Sequence, residues 1–172
     1  LERDYILLLG ICAMTMLKRW AARARDNHRK GSDLERRVKR ILESEGRPNV
    51  RTNVLLKDKN GNLSEIDVMC GYRFIPGSQL YIECKAYKKG NAVSLDAVSK
   101  FKEVLLLNGI PLHRGLVVTT SHFSPRATTI GVTTVAGEEL LSWERASAKS
   151  STRRRRIFYS LVLVLAAIVS AK

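Results

Sequence analysis

A chain of 172 residues with 45% apolar content is long enough to bury one core and too apolar to be a disordered tail. Thirty Lys and Arg against 16 Asp and Glu give a net charge of +14, which favours a polyanionic partner, nucleic acid or an anionic membrane face. Three widely spaced cysteines with no CxxC pair argue against a zinc site or a disulfide scaffold and favour a reducing compartment.

The charge is uneven along the chain. Residues 31–145 carry 17 basic and 13 acidic side chains, so most of the excess sits at the two ends. Each end also holds an uncharged apolar run, Tyr5 to Leu17 and Ile157 to Ala171, of 13 and 15 residues. Both fall short of the roughly 20 residues that cross a bilayer unaided, which leaves two readings: helices docked on partner subunits of a larger complex, or membrane anchors. The flanks favour the membrane. Basic residues follow the first run and Arg153 to Arg156 precede the second, where snorkelling lengthens a short span, and Trp20 and Tyr159 sit where interfacial aromatics are found. Both basic flanks face the middle of the chain, which places it on the cytosolic or matrix side. The chain begins with Leu1, which fits a processed or trimmed N-terminus, and together these features favour a mitochondrial over a bacterial inner membrane.

Between the ends the pattern is α/β. Ser32 and Glu35 have capping-box spacing, and Leu34, Val38, Ile41 and Leu42 form the apolar stripe of a helix that Gly46 and Pro48 end. Strands are predicted over Val50–Leu56, Leu63–Cys70 and Leu80–Ala86, with a hairpin turn at Lys59 to Asn62 and a loop from Gly71 to Ser78. A helix is predicted over Leu95–Leu107, capped by Ser94 and followed by Gly109. Leu116 to Thr120 reads as a buried strand, Ser124-Pro125 as the start of a short helix, Val132 to Val135 as a last strand, and Gly137 as the entry to a final helix. This divides the chain into residues 1–30, a hydrophobic helix and basic flank; 31–145, the folded domain; and 146–172, a basic linker and hydrophobic helix.

The chemistry lies in Glu65-Ile66-Asp67-Val68-Met69-Cys70 and Tyr81-Ile82-Glu83-Cys84-Lys85-Ala86-Tyr87. Alternation puts Glu65, Asp67 and Met69 on one side of the first strand, and Ile66, Val68 and Cys70 on the other. In the second, Tyr81, Glu83, Lys85 and Tyr87 share one side, with Leu80, Ile82, Cys84 and Ala86 behind them. Carboxylates inside apolar strands are costly unless paired or liganded. A hard divalent cation, Mg²⁺ with Mn²⁺ as a substitute, relieves the repulsion between Asp67 and Glu83 and polarises a phosphoryl oxygen. Lys85 can then neutralise charge building on phosphorus. The bland alternative is a Glu–Lys pair on a solvated sheet face.

Asp67, fifteen intervening residues and Glu83-Cys84-Lys85 resemble the D…(D/E)xK signature of the PD-(D/E)xK restriction-endonuclease-like superfamily. The strand through Tyr87, with Val117-Val118-Thr119-Thr120-Ser121-His122-Phe123-Ser124 and Ala127, is similar to the Mrr-type members. The resemblance covers about Gly31 to Trp143. It implies a restriction-endonuclease-like core with a mixed central sheet flanked by helices, to which the sequence adds hydrophobic helices at both termini. It also implies cleavage of DNA or RNA by a Mg²⁺-dependent endonuclease. Asp67 and Glu83 are then metal ligands, Lys85 the catalytic lysine, the Cys84 carbonyl a further metal contact, and Glu35 the acidic residue such nucleases place on their first helix. The chain has Glu65-Ile66-Asp67 where Mrr-type proteins usually show G-x-D, so Glu65 either adds to the metal site or forms a local ion pair. Against catalysis stands a structural or assembly subunit of a membrane or RNA–protein complex that keeps the fold as scaffold. Thr119, Thr120 and Ser121 are expected to cap the next helix, the alternative being hydroxyls that face the substrate. His122 reads as a polar loop residue, and Lys88 and Lys89 as phosphate contacts or a solvated turn.

Overall fold

The computed structural model describes residues 29–150, together with 21, 22 and 26; both predicted apolar terminal helices lie outside the described residues. Helix α1 (residues 29–45) buries Leu34, Val38, Ile41 and Leu42, whose spacing places them on one stripe. It ends where Gly46 turns left-handed (φ 75°), so that Gly46 N–H reaches Glu43 O and Arg47 N–H reaches Leu42 O. Its start differs from the capping-box expectation. Residues 29–31 are already helical, and Arg29 and Lys30 both pair with Asp26 one turn earlier, so Ser32 is an interior residue.

A hairpin follows, β1 (Arg51–Lys57) and β2 (Leu63–Gly71), antiparallel and closed by a turn that Asp58 organises. The Asp58 carboxylate accepts the N–H groups of Asn60 and Asn62 and the Asn62 side-chain amide, at 2.8–3.0 Å. Strand β3 (Gln79–Lys85) pairs antiparallel with β2. Next come the short β4 (Ala92–Val93) and helix α2 (Leu95–Leu107), whose N-cap Ser94 accepts from Ala97 N–H. Strand β5 (Gly115–Thr119) returns parallel to β3; β6 (His122–Phe123), β7 (Thr133–Val135) and helix α3 (residues 137–150) complete the described fold. The main sheet has the order β1-β2-β3-β5-β7 and is mixed, while β4 and β6 form a separate parallel pair.

The sheet separates two cores. On one face Val68, Cys70, Ile82, Cys84, Leu116 and Val118 pack on the α1 stripe and on Leu140 of α3. On the other, Ile66 and Val117 pack with Val98, Phe101 and Leu105 of α2, and with Val93, Ala127 and Val132. Each fully buried Leu or Ile contributes about 1.5–3 kcal/mol, so both helical layers are held by burial. Within the first layer, Arg37 of α1 makes two hydrogen bonds to Glu144 of α3 at 2.7 and 3.0 Å, and Trp143 Nε1–H donates to Glu45 at 2.5 Å.

The hairpin departs from simple alternation at one rung. Thr52 stands opposite Val68 and Val54 opposite Ile66, in one continuous register, but the intervening Asn53 and Asp67 are not paired. Asn53 has a left-handed φ of 54° inside the strand. Across this fault the faces exchange. Val50, Val68 and Cys70 belong to the α1-side core, whereas Val54, Leu56 and Ile66 belong to the α2-side core. The expected common row of Ile66, Val68 and Cys70 is therefore divided between two cores.

Candidate active site

The fault in β2 and the C-terminal half of β3 meet where the site was expected. Continuing the β2–β3 register past Val68–Ile82 would set Asp67 across from Glu83. Asp67 instead uses Oδ2 to accept the Cys84 N–H at 2.7 Å. Glu83 and Lys85, two residues apart on one face of β3, form an ion pair of 2.5 Å between Oε1 and Nζ. Asp67, Glu83, Lys85 and the Cys84 peptide are thus brought together.

Burial raises the pKa of Asp67 most, with Glu65 adding to it, while the Cys84 N–H and the Lys85 charge pull it back; the sum stays above the ordinary value. Glu83 is also held up, by burial first and then by the Asp67 charge, with Lys85 offsetting and Glu35 adding. Burial alone would lower Lys85, but its contact with Glu83 and the charges of Glu83 and Asp67 outweigh it, so the ammonium is held protonated. Lys85 is therefore suited to charge neutralisation rather than to proton abstraction. The Cys84 thiol is pushed far up by burial and by the surrounding carboxylates, and its side chain belongs to the α1-side core. Only its peptide group faces the chemistry.

Two clefts flank the site. One of about 820 Å³ is lined by Arg29, Ser32, Glu35, Arg36, Lys39, Thr52, Asn53, Glu65 and Asp67, and runs between α1 and the hairpin. The other, of about 500 Å³, lies on the α2 side and includes Glu65, Glu83, Lys85, Tyr87 and Lys100. Glu35 shares the first cleft with Asp67, and its charge reaches Glu83 and Cys84. Among the described residues no group of three or more His, Cys, Asp or Glu stands close enough to hold a metal ion by itself. Mg²⁺ needs only one or two carboxylates beside its waters, and two desolvated, mutually repelling carboxyl groups are hard oxygen donors of that kind. Asp67 and Glu83 therefore fit a hard divalent cation; the buried Cys84 sulfur does not.

Sequence reasoning missed two supports. Thr119, fully buried, donates its hydroxyl to Lys85 O, and Thr120 donates to Tyr87 O, both at 2.7 Å. These hydroxyls do not cap a helix or face a cleft; they tie the end of β5 to the end of β3. Ser121 likewise accepts the Gly137 N–H on its carbonyl, at 2.7 Å, while the 3₁₀ turn Pro125–Thr129 has no side-chain cap. The second missed support is Asn53, whose amide donates to Glu65 Oε1 at 2.8 Å and so fixes Glu65 beside the site. An Asn in an otherwise β-prone run was its only signal. His122 is exposed on β6 with its ring against Ser121 Oγ, and Lys88 and Lys89 are exposed in the turn after β3. At the far end of the hairpin, Arg47, Tyr72, Arg73, Phe74 and Ile75 line a depression of about 330 Å³ that holds none of these groups.

The catalytic-domain family model of Mrr restriction endonucleases matches residues 27–143. The chain belongs to the Mrr-type restriction endonuclease family. Glu35, Asp67, Glu83 and Lys85 all fall inside the span of this Mrr-type match. A solved protein of unknown function, AF1548, has the same fold, with a TM-score of 0.53 and 23% identity over 66% of this chain and 65% of that one. The DNA modification-dependent restriction endonuclease AspBHI aligns at TM-score 0.44 and 14% identity, over 79% of this chain and 40% of its own. Protein VC1899 from Vibrio cholerae aligns at 0.44 and 18%, over 69% and 33%. The Mrr-type chain thus spans between a third and two thirds of the structures it matches. No curated protein matches it.

Proposed function

We propose that this domain hydrolyses phosphodiester bonds of nucleic acid, DNA by preference, with the help of a divalent cation. The observation that carries the reading is the buried, mutually repelling pair Asp67 and Glu83 set against the ammonium of Lys85. Asp67, Glu83 and the Cys84 carbonyl would hold the cation, with Glu35 across the cleft contributing negative charge. When bound, the cation supplies Lewis-acid polarisation of the phosphoryl oxygens.

The chain's own groups supply the rest. Lys85, held protonated by Glu83 and Asp67, donates to the phosphoryl oxygen on which negative charge grows. The Cys84 N–H orients the Asp67 carboxylate, and Thr119 anchors the Lys85 carbonyl, so both charges are fixed before substrate arrives. Arg29, Arg36 and Lys39 line the α1-side cleft on the approach to Asp67, where their exposed cations can pair with successive phosphates.

The test is Lys85→Ala. Cleavage of a DNA substrate with Mg²⁺ or Mn²⁺ should fall by about a hundredfold or more, with the fold retained in its circular dichroism spectrum. Equal cleavage by both proteins, or cleavage in excess chelator, would overturn the mechanism. A scaffold that keeps the fold makes the opposite forecast, both proteins being inert towards a panel of DNA and RNA. Attachment to a membrane through residues 5–17 and 157–171, with the domain on the matrix or cytosolic side, is proposed from sequence alone. Among the described residues no helix is long and apolar enough to cross one. Alkaline extraction of the full chain against one lacking residues 157–172 tests the second segment, whose anchoring role fails if retention is unchanged.

A further inference from the structure

We infer that Asn53 is a positioning residue of the site, acting through the backbone conformation it holds rather than through contact with substrate. The inference rests on the nucleolytic reading above for its purpose, but not for its geometry. Among the described residues, Asn49 and Asn53 are the non-glycine residues with left-handed backbone, and Asn53 alone of these lies inside a strand. Asparagine is among the few side chains that adopt this region readily, and β-branched residues are among the worst.

Three observations converge on it. Asn53 stands at the unpaired rung opposite Asp67, in a register otherwise continuous from Arg51–Met69 to Lys57–Leu63. At that rung the hairpin exchanges its faces, sending Val68 to the α1-side core and Ile66 to the α2-side core. With the faces exchanged at this rung, the Asp67 side chain lies against β3, where its Oδ2 accepts the Cys84 N–H at 2.7 Å. The Asn53 amide then holds Glu65, the carboxylate that borders both clefts. Strain stored at such a position is characteristic of sites that require pre-organisation.

The test compares the full chain with Asn53→Gly and Asn53→Val, by the amide resonance of Cys84 in ¹H–¹⁵N spectra and by Mn²⁺ affinity from electron paramagnetic resonance. Glycine adopts the left-handed region freely, so Asn53→Gly should keep the Cys84 resonance and bind Mn²⁺ within about threefold of the parent. Valine opposes it, so Asn53→Val should shift that resonance upfield and weaken Mn²⁺ binding by about tenfold or more. Where the valine variant does not fold, Asn53→Ala replaces it, with a smaller loss in the same direction. Loss of both signals in the glycine variant, or their retention in the valine or alanine variant, overturns the inference. If the parent chain cleaves no nucleic acid while both signals follow this series, the nucleolytic reading fails and the positioning role stands.

Discussion

The ammonium of Lys85 and the carboxyl groups of Asp67 and Glu83 are mutually dependent. Each carboxyl is held above its ordinary value, so the folded state binds those protons more tightly than the unfolded one. Stability from this pair is therefore complete below the ordinary carboxylate range and is lost as pH rises through the raised values. Removing one charge should relieve that cost. Asp67→Asn keeps an oxygen for the Cys84 N–H and should stabilise the metal-free protein by about 1 kcal/mol, roughly 3 °C in Tm, while cleavage is lost. A lower Tm in thermal unfolding would contradict the repulsion. The site was legible because period-two alternation in β3 needs no tertiary information: Glu83 and Lys85 share a side in any extended strand. Asn53 was not, because a single left-handed residue leaves no periodicity behind, and with it went the division of Ile66 from Val68 and Cys70.

Helices α1 and α3 are joined by Arg37 and Glu144, whose two hydrogen bonds hold the Glu144 carboxyl below its ordinary 4.5. A depressed carboxyl contributes stability above its unfolded value and loses it as pH falls through the folded one. Arg37→Ala should thus lower stability at neutral pH by about 1 kcal/mol, the two side chains being only partly exposed, and the deficit should shrink as pH falls below the ordinary carboxylate value. Urea unfolding at several pH values measures this, and a pH-independent deficit would assign the loss to packing instead. Element by element, α2 was plain because Ser94 and Gly109 bracket its stripe with chemical stop signs. The start of α1 was misread because Ser32 and Glu35 reproduce cap spacing inside a helix that Asp26, Arg29 and Lys30 carry further back. Strands β4 and β6 went unseen because two residues are too few for any alternation to register.

The whole domain consists of two cores separated by one sheet, with its least comfortable charges in the seam. A cation that binds only the folded chain should stabilise it by mass action, by roughly 2.7 kcal/mol at about a hundred times its Kd. Thermal unfolding with Mn²⁺ should show this upshift in the parent and little of it in Asp67→Asn; equal shifts in both would place the ion elsewhere. The mixed fold itself was readable because hairpin, crossover helix and parallel return are each signalled locally by turn, cap and apolar run. The order of the strands also leaves β1 at the rim of the sheet, and that rim is broken at mid-length by Asn53 and flanked by Arg51 and Lys57. A flat, open rim would be a template on which other molecules could add strand upon strand. The left-handed residue at mid-length interrupts that line, and an interrupted rim is one of the devices by which sheets are kept from pairing with other chains.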